Sequence, residues 1–312
     1  MSSGTGTGTI ARRNSALSLN TSGQPIRYKL HITNYLNVVG YILRFIITFV
    51  GVGGEKHATV LARNQTIFTP SGWTFSIWGL ILTTEAIFVF LQLLPDHRRL
   101  PVIKKGIGYW FFTTCILEIV WKCLFSYEYF FLSSVFMLFT LASLITIVSK
   151  QSEIPPDGTI QDYWLLRAPF SIHCGWIMFY FALEMNLLAV NHTKKAWTQI
   201  EWAIVSLAYL TCTAIYILIW KRTADVAIVL PIAWGTFGVA LELTDPTEKI
   251  NKTFGNGSLT TIQVTSATLC GGILCIAIIK VTIMIFAKHA EQYEDKPEPK
   301  RPEPKRDNYS QV

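Results

Sequence analysis

The apolar and polar positions divide this chain into eight predominantly apolar runs, near 33–52, 75–94, 107–126, 128–149, 168–190, 201–220, 225–243 and 261–283. A helix needs about 20 apolar residues to cross roughly 30 Å of hydrocarbon, so each run predicts a membrane-spanning helix. The pattern therefore predicts an all-α, polytopic helical bundle of about eight transmembrane helices. The seventh run, "DVAIVLPIAWGTFGVALEL", contains Pro231 and Gly235. Membrane helices tolerate both, because neighbouring groups re-satisfy the freed backbone.

Composition agrees: 51% of residues are hydrophobic and 15% charged, with a mean hydropathy of +0.36, which points to lipid as the solvent. All six cysteines, Cys115, Cys123, Cys174, Cys212, Cys270 and Cys275, fall inside apolar runs without a CxxC pair. They read as small packing residues, and neither a disulfide framework, a metal site nor a cofactor is implied. Residues 1–32 are rich in Ser, Thr and Gly and hold no apolar stretch, so a cleavable signal is not expected and the first span inserts itself. Residues 289–312 repeat "PEPKR" at 297–301 and 302–306. Such Pro and charge density cannot bury a core, and an extended, disordered tail is expected.

Charge sets an expected orientation. With the N-terminus in the cytoplasm, 18 Lys and Arg fall on that side, against six on the other: Lys56, Arg63, Lys194, Lys195, Lys249 and Lys252. The positive-inside rule then places both termini in the cytoplasm. The glycosylation triplets at Asn64, Asn191, Asn251 and Asn256 all lie on the opposite side, while "NTS" at Asn20 does not. This favours the plasma membrane or endomembranes over the mitochondrial outer membrane. The formal charge of +7 resides mostly in the cytoplasmic tails and loops. Anionic lipid headgroups are its natural partner, and no nucleic-acid motif accompanies it. The final Ser310, Gln311 and Val312 fit the pattern that PDZ domains accept. "RRNS" at 12–15 resembles a basophilic kinase site, though a solvated basic tail is the preferred reading.

Ionisable groups inside spans are costly and mark candidate sites: Arg44, Glu85, Glu118, Lys122, Glu184 and Lys280. At about 1.5 Å per residue, Arg44 and Glu85 come out roughly 12 to 15 Å deep on antiparallel neighbours, where they could pair. Glu118 lies about 12 Å and Glu184 about 9 Å deep by the same count, giving one layer with three acids and one base. Such a layer leans toward cations or protons. Lys122 and Lys280 are near span ends and can snorkel, and Lys122 stands four residues after Glu118, suited to an intrahelical pair. Each carboxylate shares a helix face with tryptophan: Phe75, Trp78, Leu82 and Glu85; Glu118, Trp121 and Phe125; His173, Trp176, Tyr180 and Glu184. Two readings compete, a structural ion-pair network with interfacial aromatics and an aromatic-walled cavity with convergent polar groups. His173 reads as a packed core histidine.

The run "FTPSGWTFSIWGLI" resembles the start of the second helix of the TspO/MBR family, through Gly72, Trp73, Phe75 and Trp78. "ILEIVWKCLF" is similar to that family's third helix through Leu117, Trp121 and Phe125, and "APFSIHCGWIMFYFALEMN" to a later one through Pro169, Trp176, Ala182 and Asn186. Glu118 stands where the family usually has Asn, so this pocket would carry charge that its relatives lack. The resemblance implies a five-helix core over 33–190, with three further spans over 191–288. It also implies a porphyrin- or sterol-like ligand held in the bundle beneath the loop 53–74. The loose L-x-Y-x-K cholesterol pattern at Leu210, Tyr216 and Lys221 adds little.

These observations favour a receptor or carrier. Trp73, Phe75, Trp78, Trp121, Trp176 and Tyr180 would form its walls; Arg44, Glu85, Glu118, Glu184 and Asn186 would be its polar anchors. A porphyrin's carboxylates would require a free Arg44. The alternative is a secondary transporter that loads protons on buried glutamates. A seven-helix G-protein-coupled receptor fits poorly, because the count is eight and no Asp-Arg-Tyr follows span three. An intramembrane enzyme is not expected, since no paired carboxylates with a His cluster and no Ser/His arrangement appear at one depth.

Overall fold

The computed structural model describes residues 29–51, 53–157, 159–193, 195–220 and 225–294, with the backbone alone at 220 and 288–294. Among these residues all regular structure is helical. In order they are α1 (Ile32–Val50), α2 (His57–Arg63), a 3₁₀ turn (Gly72–Ser76) leading into α3 (Ile77–Leu91), α4 (Trp110–Ser126), α5 (Phe130–Ser152), α6 (Ala168–His192), α7 (Ala196–Ile215), α8 (Val226–Glu242), α9 (Glu248–Thr253) and α10 (Asn256–Glu294). Single π-turns, Val102–Ile107 and Asp162–Arg167, lead towards α4 and into α6, and a third, Tyr216–Trp220, follows α7.

Six of these helical stretches are long and apolar enough to cross a bilayer, and the shorter Val226–Glu242 is also apolar. The remaining apolar run forms α4, whose 17 residues include Glu118 and Lys122. All eight apolar runs are thus helices, as an all-α polytopic membrane bundle requires.

The burial pattern inverts that of a water-soluble helix. On α1 the buried residues are Asn34, Asn37, Gly40 and Arg44, while Ile42, Phe45, Ile46, Phe49 and Val50 are exposed. Polar groups turned inward beneath an apolar outside are what hydrocarbon selects, because a polar side chain facing lipid has no partner there.

The chain forms two compact units, Met1–Val60 with Ser76–Cys174, and Leu61–Phe75 with Gly175–Val312. The divisions fall at 60/61, in the connection after the first apolar run, and at 75/76 and 174/175, within the second and fifth runs. In unit 1, α1 packs on α3 and α4, and α4 on α5. A Cβ at Gly40 would stand 2.8 Å from the Phe112 ring, so glycine sets how closely α1 approaches α4. The turn from α4 to α5 is tight, with Glu128 in the left-handed region at φ 60°. In unit 2, α8 packs on α7 and α10, and its N-cap Asp225 accepts from the Ala227 amide at 3.2 Å.

Candidate functional site

The site in unit 1 grows from four helices, each contributing ionisable side chains to one fully buried point. Arg44 of α1 pairs with Glu85 of α3, and its Nη1 donates to Glu118 Oε2 of α4 at 3.1 Å. Lys122 Nζ, one turn along α4, lies 2.9 Å from Glu118 Oε1 and also donates to Thr48 Oγ1 of α1. His173 of α6 places Nδ1 2.8 Å from Glu85 Oε1 and Nε2 3.5 Å from Glu118 Oε2. Arg44, Glu85, Glu118 and His173 are wholly buried, whereas the Lys122 side chain keeps 13% exposure. Two carboxylates facing two basic side chains balance, which makes burial of so many charges tolerable.

Aromatic rings surround the network. Trp78 of α3 stacks on Trp121 of α4 at 6.2 Å, its edge meets the His173 ring at 5.9 Å, and Lys122 Nζ sits 4.8 Å from its centroid. The α2 residue His57 stacks on Phe125 at 4.2 Å and abuts Trp121 at 5.7 Å. His57 lies in the connection between spans, where burial and then the Lys122 ammonium push its imidazole down to about 3. Arg44 also lies 5.8 Å from the Phe111 ring, and Tyr41 donates its hydroxyl to the Leu82 carbonyl at 2.8 Å. Further along the same helices, Asn37 donates to Gln92 Oε1 at 3.0 Å, and Asn34 to the Gln92 carbonyl at 3.3 Å.

Unit 2 holds a second aromatic cluster. Trp176 stacks on Phe179 at 5.4 Å and meets Phe75 and Tyr180 edge-on, each at 6.0 Å. The Pro-Ser-Gly-Trp turn is fixed to α8: the Ser71 amide donates to the Gly238 carbonyl at 3.1 Å, and Trp234 Nε1 to the Thr74 carbonyl at 2.8 Å. Trp73 rests edge-on against Trp234 at 4.7 Å. Only glycine fits at 238, since a Cβ there would come within 2.2 Å of Thr74 Oγ1. Two further glycines bring α6 against α8. A Cβ on Gly175 would lie 1.9 Å from the Ile228 carbonyl oxygen, and one on Gly235 2.4 Å from the Phe179 ring. Lower on α6, Asn186 donates to Ser206 Oγ of α7 at 2.7 Å, and Glu184 is fully buried.

The model of the TSPO-like protein family matches residues 32–283, a stretch that takes in all eight apolar helices. The chain belongs to the TSPO-like family. No curated protein and no solved structure matches significantly.

For this TSPO-like protein, the structure brings together Arg44, Trp78, Glu85, Glu118 and Trp121 in unit 1, and Trp73, Phe75, Trp176 and Tyr180 in unit 2. Glu184 and Asn186 also belong to unit 2, so the single layer of three acids and one base is not the grouping in unit 1. There Lys122 and His173 complete the set. Lys122 snorkels in part but is also a member of the network, and His173, fully buried as a packed core histidine is, meets Glu85 at 2.8 Å and comes within 3.5 Å of Glu118. The four-residue step from Glu118 to Lys122 announced their pair, whereas nothing beyond its place at the head of an aromatic face announced the meeting of His173 with the glutamates. His57, on a connecting helix, carried none.

Arg44 is not free for a ligand carboxylate, because both glutamates occupy it. Asn191, Asn251 and Asn256 are exposed and Asn64 half-buried. The Asn251 amide donates to the Pro246 carbonyl at 3.1 Å. Ser310 and Val312, the 12–15 basic motif, Asn20 and Lys221 lie outside the described residues.

Proposed function

We propose that this TSPO-like protein binds a small hydrophobic molecule, porphyrin- or sterol-like, within its helical bundle and acts as a receptor or carrier. The observation that carries the reading is the stacked Trp78–Trp121 pair set against a charge-balanced, buried polar network. Flat aromatic walls offer apolar area, and a few convergent polar groups fix orientation. Lys122 replaces Arg44 as the anchor for an anionic ligand group: it lies over the Trp78 ring and is the partly exposed cation of the set.

The test is tryptophan quenching on the purified chain, titrated separately with a dicarboxylate porphyrin and with a sterol. Saturable quenching that weakens in Trp78→Phe supports the reading; no saturable response to either probe excludes it. Secondary transport is the second reading, motivated by the buried ionisable groups. Binding without flux in liposomes under a pH gradient excludes transport. Flux lost in Glu85→Gln with binding intact excludes the receptor.

Glycan attachment at Asn64, Asn191, Asn251 or Asn256, cytoplasmic termini and a PDZ partner for the Ser310–Val312 end belong to the same proposal.

A further inference from the structure

His173 sits between two carboxylates and has two ring nitrogens to offer them. Nδ1 lies 2.8 Å from Glu85 Oε1; Nε2 has no hydrogen bond and lies 3.5 Å from Glu118 Oε2. A neutral imidazole carries one N–H, so whichever nitrogen holds it, the other turns a lone pair toward a carboxylate oxygen. The imidazolium alone presents N–H to both.

We propose that His173 is a proton-binding site and that its proton ties α6 to α3 and α4 together. On release, the imidazolium gives its proton to water and becomes neutral imidazole. The Nε2–Glu118 attraction is then lost, and Glu118 is left with Arg44 and Lys122. Groups from every surrounding helix set the balance. Glu85 of α3 and Glu118 of α4 favour the proton, while Arg44 of α1 and Lys122 of α4 oppose it. Tyr41, Cys115 and, through Lys122, His57 are the other titratable side chains that interact with this charge set. The proposal concerns the protein without ligand and stands or falls apart from the ligand reading.

The test is a pH titration of the full chain in lipid nanodiscs with isotopically labelled histidine, over about pH 4.5 to 9. One histidine resonance, absent from His173→Gln, is expected to pass from imidazolium to imidazole. In Glu118→Gln its proton affinity is expected to fall about tenfold, a midpoint lower by about one pH unit. Tryptophan emission should follow the wild-type midpoint, because the Trp78 ring is 5.9 Å from His173, and this response should disappear in His173→Gln. Should His173→Gln not fold, single Gln variants of the other five histidines assign the resonance by elimination. A His173 that keeps one protonation state across the range overturns the proposal, and so does a midpoint that Glu118→Gln leaves unmoved.

Discussion

Arg44 and Glu118, 74 residues apart in the chain, meet at 3.1 Å with neither side chain exposed, and Glu85 occupies the other arm of the same guanidinium. Arg44 is therefore the cation that makes two buried carboxylates tolerable. Removing it leaves Glu85 with His173 alone and Glu118 with Lys122 and His173. Arg44→Gln is expected to destabilise the protein by about 3–5 kcal/mol, the usual cost of stranding a buried charge. Thermal unfolding in detergent would show it. Glu118→Gln, which keeps a hydrogen-bonding oxygen, should cost distinctly less, and equal losses would contradict the central role of Arg44.

Gly175 and Gly238 are read as contact points, not as flexible positions. Alanine at either meets a carbonyl oxygen or a hydroxyl well inside contact distance. Each substitution is expected to cost about 1–3 kcal/mol, the range for overpacking. Gly271 in α10, where a Cβ meets nothing within 4 Å, supplies the contrast. Gly271→Ala should leave the melting temperature unchanged or raise it. The three variants can be melted side by side.

His57 predicts an acid sensitivity separate from that of His173. Its imidazole, pushed down to about 3 by burial and then by Lys122, binds fewer protons in the fold than in the unfolded chain, where about 6.5 is normal. The stability it provides is complete above about pH 6.5 and declines as pH falls through the window from 6.5 toward 3. Comparing melting temperatures at about pH 7 and pH 5, His57→Phe should lose less than the parent chain. An identical loss would remove His57 from the account.

Orientation has an inexpensive check. If the connections carrying Asn191 and the α9–α10 segment face the secretory lumen, glycosidase treatment should shift the expressed chain on a gel. Asn251→Gln with Asn256→Gln should abolish part of that shift. A chain insensitive to glycosidase would point back to the mitochondrial outer membrane.

Much of this was legible in the sequence for a physical reason. The length of an apolar run and the cost of an unpaired backbone in hydrocarbon are local properties, so the apolar helices, the helical class and the odd charges at 44, 85 and 118 could be read directly. The pairing of Glu118 with Lys122 was local too, one helical turn apart.

Which charges meet was decided only by tertiary structure, because rotation of each helix about its axis depends on its neighbours. Packing brought His173 to Glu85 and Glu118, while Glu184, equally buried further along the same helix, belongs to the other unit. The Pro-Ser-Gly-Trp turn shows the same limit. Its sequence announces a loop entering a helix, but its anchorage on Gly238 and Trp234 spans more than 150 residues and rests on a missing Cβ. Sequence fixes what each segment must bury; packing alone settles against what.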